Sequence, residues 1–343
     1  MTNLKKVSMK DIAERLNISK NAVSLALNGK PGVSESTRDQ VLDLARKLNY
    51  AGFTTDDSAY NCRNILVFIP EYIKDDSFFY NDIYWSIDNY SKSHGYNSVM
   101  ATISSQMQEN LSLPPILTQL NIAGFVLVGI FNEDYVKFIL KQNVKTISVD
   151  HYYSNLNMDC IVTANLEGAY TLTKKVIEMG HTKIGFVGSI NVTSSIFERW
   201  CGYQKALIYS DIKINYEYSI TKTSPLGILL HDPDELYDEL KRLNELPTAF
   251  VCGGDRIAIA LLEALKKLGI SVPEDISIVG FDDIALSSFV SPKLTTMQVK
   301  RKELSKVAVN HLLNKSDIDD ENVKLSIYPE YIERESLIKA KGL

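Results

Sequence analysis

The chain of 343 residues is 45% hydrophobic and 23% charged, with a net charge of −5, an ordinary globular composition with room for two or three domains of about 100–200 residues. No apolar run approaches the roughly 18–20 residues of a membrane span, and the basic opening MTNLKKVSMKDIAERLN lacks the apolar stretch of a secretory leader. Cys62, Cys160, Cys201 and Cys252 are too widely spaced for a zinc knuckle or a redox pair, so a cytosolic chain with reduced thiols, no metal and no cofactor is expected.

The charge is unevenly placed. Residues 1–50 hold nine Lys/Arg against five Asp/Glu, a balance of +4, and the remaining 293 hold 28 against 37, a balance of −9. A basic head on an acidic body suits contact with a polyanion. In the head, Met9, Ile12, Ala13 and Leu16 mark one face of a short helix, with Ser8 as N-cap and Asp11 in the first turn. Asn17-Ile18 interrupts the pattern, and Ser19 caps a second helix through about Asn28, with Ala22, Val23, Ala26 and Leu27 facing inward. Gly29-Lys30-Pro31-Gly32 is a loop, after which Ser34 caps a third helix buried through Val41, Leu42, Leu44, Ala45 and Leu48. Two short helices joined by a tight turn and braced by a third form a helix-turn-helix, although the pattern alone also describes a small helical bundle without a ligand.

The body alternates strand and helix. Strands are predicted at Asn64–Pro70, Gly124–Gly129, Thr146–Asp150, Ile184–Gly188, Ala249–Cys252 and Ile276–Phe281, with helices over Ile83–His94, near 110–120 and 133–142, up to Met179-Gly180, and over Glu198–Tyr209 and Ile257–Leu268. Short continuous apolar strands between helices predict parallel α/β sheets, and some 280 residues of them predict two lobes. No phosphate loop, dinucleotide fingerprint, HExxH or GxSxG is present, and His94, His151, His181, His231 and His311 do not cluster. The adjacent Asp282 and Asp283 at a strand end point opposite ways and form no catalytic pair. The chain is therefore expected not to be an enzyme.

Val7-Ser8-Met9-Lys10-Asp11-Ile12-Ala13, Ile18-Ser19, Ala22-Val23-Ser24, Leu27-Asn28-Gly29-Lys30-Pro31-Gly32-Val33-Ser34, Thr37-Arg38 and Leu48-Asn49-Tyr50 closely resemble the headpiece of the lactose-repressor (LacI/GalR) family of bacterial transcription regulators. The resemblance continues through Ser77-Phe78-Phe79, Val187-Gly188, Glu198-Arg199, Gly202-Tyr203, Asp255 and Val272-Pro273-Glu274-Asp275 to Phe281-Asp282-Asp283 and Pro292-Lys293-Leu294-Thr295-Thr296. It implies an all-α helix-turn-helix headpiece over 1–50, a hinge linker over 51–63, and a two-lobed, periplasmic-binding-protein-like α/β core with parallel sheets over 64–343. Lobe one is placed at about 64–162 and 291–323 and lobe two at about 163–290 and 324–343, with crossings near 161–163, 290–292 and 323–325.

By the same resemblance the second helix enters the DNA major groove. Lys20 and Asn21 read base edges. Ala22 replaces the usual Thr, and Leu25 replaces the usual Arg, offering only apolar contact. Ser8, Ser19, Ser24 and Asn28 hold phosphates and set register. In the hinge the usual Pro is absent, Ala59 or Tyr60 stands near the position of the Leu that wedges into the minor groove, and Asp56-Asp57 adds negative charge. Weak DNA bending is therefore expected.

The resemblance further implies a small polar, sugar-like effector between the lobes, at the carboxyl ends of the strands. Arg199 and Asp282 are its principal polar anchors, with Asp255, Asp150 and His151 at the rim. Phe78 and Phe79 either stack on a ligand ring or fill ordinary core. Gly254 stands where Asn is frequent, Ala164-Asn165 where Asp-Asn is usual, and Val299 where Gln is usual, so several polar contacts of a typical sugar pose are missing. A homodimer on double-stranded operator DNA is expected, in the bacterial cytoplasm at the nucleoid and away from membranes. The absence of a heptad tail after Leu337 argues against a coiled-coil tetramer. The rival reading is a cytosolic small-molecule receptor or enzyme on the same two-lobed core.

Overall fold

The computed structural model describes residues 7–27, 30–48, 50, 63–73, 79–222, 232–314 and 321–341. These fall into two compact units, one within Met1–Arg63 and one within Asn64–Leu343.

The first unit holds α1 (Met9–Leu16), α2 (Lys20–Leu27) and α3 (Glu35–Lys47). Ser8 caps α1 in a reciprocal box with Asp11, and Asn17 ends it in the left-handed region at φ 53°, a conformation a short polar side chain tolerates. Ser19 Oγ accepts the Ala22 N–H at 3.0 Å, and Ser34 Oγ accepts the Thr37 N–H at 3.1 Å. The helices close on Ile12, Ala13, Val23, Ala26, Val41 and Ala45, all buried. Arg38 of α3 reaches back to the end of α2 and donates to the carbonyls of Ala26 at 3.2 Å and Lys30 at 2.7 Å. These carbonyls lack helical partners, and the guanidinium supplies them.

In the second unit β1 (Asn64–Pro70), β2 (Asn97–Ile103), β3 (Ile122–Val128), β4 (Thr146–Val149), β5 (Asp159–Thr163) and β10 (Lys324–Ile327) form one parallel sheet in the order β10-β5-β4-β3-β1-β2. Every residue of β1 is buried, because helices cover both faces of a central strand. Ile65, Val67 and Ile69 share a core with Ile83 and Ile87 of α4 (Tyr80–Ser93) and with Leu304, Ala308 and Leu312 of α11 (Arg301–Asn314). Leu66 and Phe68 point the other way, toward Tyr135, Val136 and Ile139 of α6 (Glu133–Leu140). A five-residue helix α5 (Ser105–Glu109) follows β2.

The second lobe has a parallel sheet of β6 (Ile184–Val187), β7 (Ala249–Cys252) and β8 (Ser277–Val279). Single bridges from Val279 to Thr295 and from Asp282 to Gln298 extend it to β9 (Thr296–Gln298), which pairs antiparallel with β11 (Glu330–Ile332). Around it lie α7 (Asn165–Glu178), α8 (Ser194–Ile208), α9 (Pro233–Arg242) and α10 (Asp255–Lys267). Gly202 lets α8 press onto α7, since a Cβ there would collide with the Leu166 carbonyl.

Several expected boundaries move. β9 still belongs to the smaller sheet and β10 still pairs with β5, so the chain crosses after Gln298 and after Ile327, beyond the expected 290–292 and 323–325. Pro292 bends the chain without ending the sheet, and β10 is a mostly exposed edge strand with no apolar run to announce it. The helix expected near 110–120 is instead α5 plus a 3-10 turn at Pro115–Gln119. No described helix is long and apolar enough to cross a membrane.

Candidate functional site

In the helical unit, the packing of α2 fixes which residues face outward. Val23 and Ala26 are buried, and this leaves Lys20 and Asn21 exposed at the helix start. Ser24 and Leu25 are half-buried. A Cβ on Gly32 would lie 3.2 Å from Leu25 Cδ1, so this loop glycine, at φ +120°, is fitted against the leucine. The two N-capping serines differ in what their hydroxyls have left. Ser8 Oγ donates to Asp11 Oδ2 at 2.6 Å, whereas Ser19 Oγ accepts a backbone N–H and keeps its proton for another acceptor. Asn28, Ala59 and Tyr60 lie outside the described residues, as does the rest of the hinge up to Cys62.

In the two-lobed unit, β1 pairs with both β2 and β3, so the connections leave it in opposite directions. The crevice at such a switch point opens at the carboxyl ends of the strands. Asp150 follows β4 there, and Tyr80 begins α4; the Tyr80 hydroxyl donates to Asp150 Oδ2 at 3.3 Å. From the other lobe comes Arg199, on α8 and 5% exposed. Its Nε donates to Asn165 Oδ1 at 2.9 Å and its Nη1 to the Gly253 carbonyl at 2.7 Å, while Nη1 lies 3.0 Å from Asp282 Oδ1 and the Phe281 ring lies beneath it at 3.9 Å. Arg199 and Asp282, expected together, are thus brought together. A Cβ on Gly254 would meet Asp282 Oδ2 at 3.1 Å; the glycine in place of Asn keeps room for that carboxylate.

Asp150 and Asp282 both sit at positive φ, 68° and 114°, conformations that cost about 1–3 kcal/mol each and need support from their surroundings. For Asp282 the support includes Arg301 of α11, whose Nη1 donates to the Asp282 carbonyl at 2.8 Å and whose Nη2 donates to that of Asp283 at 3.1 Å. The same guanidinium holds Asp82 of α4 at 3.1 Å. Arg301 therefore joins the lobes, as does His151, whose Nδ1 lies 3.1 Å from Ser194 Oγ at the start of α8. Lys324 of β10 makes a third link, to Glu198 of α8 at 2.9 Å.

Burial first, and then the nearby Asp282 charge, pushes the Asp150 carboxyl up to about 7, although Arg199 opposes the shift. Burial pushes His151 down to about 4, leaving it neutral. Asp255 does not reach the cleft. It is 0% exposed, accepting from Thr296 Oγ1 at 2.6 Å and the Ile284 N–H at 2.9 Å, and so braces the turn after β8. Phe79 is buried, edge-on to Tyr80 at 5.0 Å, and Phe78 lies outside the described residues. Sequence reasoning missed Tyr80, Asn165, Ser194 and Arg301, which reach the site only through the fold.

The description "Bacterial regulatory proteins, lacI family" matches residues 8–52, and "Periplasmic binding protein-like domain" matches residues 173–337. The HTH-type transcriptional repressor PurR of Haemophilus influenzae (strain PittEE) is 28% identical over 341 residues, 96% of this chain and 98% of that protein. The ribose operon repressor of Haemophilus influenzae (strain ATCC 51907) is 28% identical over 344 residues, 97% and 99% of the two chains. The crystal structure of the lac repressor dimer bound to operator and the anti-inducer ONPF superposes with a TM-score of 0.68 at 20% identity, covering 97% of this chain and all of that one. Three N-terminal helices packed as a helix-turn-helix, followed by a two-lobed core in which Arg199 pairs with Asp282, are those of a DNA-binding transcription regulator that joins a lacI-family headpiece domain to a periplasmic-binding-protein-like domain.

Proposed function

We propose that the protein is a homodimeric repressor in the bacterial cytoplasm, whose paired headpieces hold a pseudo-palindromic operator and whose affinity for it is set by a small polar effector between the lobes. The observation that carries the DNA reading is the exposed pair Lys20 and Asn21 at the start of a helix whose other face is core. Asn pairs bidentately with adenine and Lys reaches guanine, while Ser19 donates to phosphate. Supporting the effector reading are the facing Asp150, Arg199 and Asp282, together with three links that hold the lobes against each other. A ligand in such a cleft shifts DNA affinity only by binding one lobe arrangement better than another.

The chain acts by binding rather than catalysis. Asp282 is paired with Arg199 at 3.0 Å and Asp283 with Arg334 at 2.6 Å, which leaves neither as a general base. Selection of binding sites from a randomised duplex pool by the full-length protein, repeated with each compound of a metabolite panel, tests the reading. Recovery of a two-fold-symmetric site whose occupancy responds to a compound supports it, and recovery of no preferred site overturns it.

A further inference from the structure

Among the described residues the ionisable groups around the cleft nearly all come in neutralised pairs. Arg199 has Asp282 at 3.0 Å, Arg301 has Asp82 at 3.1 Å, Arg334 has Asp283 at 2.6 Å and Lys324 has Glu198 at 2.9 Å. Asp255 is enclosed by Thr296 and the Ile284 N–H, and His151 is neutral. Asp150 is the exception. Among the described residues its side chain has one hydrogen-bond partner, the uncharged Tyr80 hydroxyl at a long 3.3 Å, and no cation within ion-pair distance.

Resting on the effector reading above, we propose that Asp150 selects the effector by charge: the ligand places a protonated amine against this carboxylate, and phosphorylated or carboxylated analogues are rejected. Among the described residues both cleft guanidiniums already face carboxylates, so an anion entering the site finds no uncommitted guanidinium there and meets the surplus negative charge. An amine completes the one missing pair, with a charge-assisted hydrogen bond in a desolvated setting. Burial raises the pKa of Asp150 and the Arg199 charge only partly offsets it, as for a carboxylate with no ion-pair partner of its own.

The test uses full-length protein and three charge forms of one scaffold, namely the 2-amino sugar, the parent sugar and its terminal phosphate, in the glucose, galactose and ribose series. Binding is read by calorimetry at pH 7, where the 2-amino group is protonated and Asp150, at about 7, gives up its proton as the ammonium pairs with it. In one series the amino form is expected to bind at least about tenfold tighter than the parent, with no binding of the phosphate; Asp150→Asn equalises amino and parent forms. A parent sugar bound as tightly as its amine, or a bound phosphate, overturns the charge selection and leaves the effector cleft standing. No binding by any member, together with unaltered operator control in Arg199→Ala, overturns both.

Discussion

His151 and Ser194 belong to opposite lobes, and their Nδ1 and Oγ atoms lie 3.1 Å apart. Because burial holds the imidazole near 4, this hydrogen bond keeps its protonation state from pH 6 to 8. Ser194→Ala is expected to weaken lobe closure by about 0.5–1.5 kcal/mol. Small-angle scattering of the ligand-free protein should then show a larger radius of gyration for the variant at both pH values. In Asp150→Asn, where the cleft carboxyl no longer titrates in this range, a radius that changes between pH 6 and 8 would contradict the neutral-histidine assignment.

The reading helix makes a second prediction. Lys20→Ala and Asn21→Ala should each cost about 1–3 kcal/mol on the preferred site and relax its sequence. Ser19→Ala should weaken binding equally on all sequences, and by more than Ser8→Ala does, since the Ser8 hydroxyl proton is already given to Asp11. Fluorescence anisotropy on the selected site and on a scrambled duplex separates the two behaviours.

Arg199 and Asp282 form a unit, so removing either should abolish the effector response while operator binding persists. Asn165→Ala, which removes the acceptor for Arg199 Nε, is expected to act in the same direction with a smaller loss. Effector titrations of operator-bound protein give the comparison, and a wild-type response in Asp282→Ala would dismiss the pair as anchor.

The Asp150 carboxyl stands at about 7 in the folded protein, above the roughly 3.9 of an unfolded chain. Between these values the folded state binds the extra proton, so the contribution of Asp150 to stability falls as pH rises from about 4 to 7 and is level above that. Asp150→Asn removes the fall. Thermal unfolding of the ligand-free variant and parent should show the variant gaining relative to the parent from pH 5 to 8, by a few degrees or so.

Much of this was legible locally. The headpiece repeats apolar residues at helical spacing between Ser caps, and each cap forms as the sequence predicts. β1 and β3 announce themselves as continuous apolar runs because both of their faces are covered. Legibility fails where the partner is remote. Tyr80 meets Asp150 across 70 residues, and Arg301 meets Asp82 across 219; no spacing rule encodes either. Asp255 matches the family pattern yet faces inward, because side-chain direction at the head of α10 is decided by Ile284 and Thr296, which arrive later in the chain. The edge strands β2 and β10 were hidden by their own exposure, which removes the apolar signal.

Gly202 lies three residues after Arg199 on α8, about one turn along, and its missing side chain sets how near that helix comes to α7. The distance between the two helix axes is thus also the reach of the Arg199 guanidinium to Asn165, the first residue of α7. A single methyl group at Gly202 would widen that spacing like a shim under one end of a beam, withdrawing the arginine from Asp282 without touching any atom that meets a ligand. In this fold the ruler for the binding site is a backbone contact one turn along the same face of the helix.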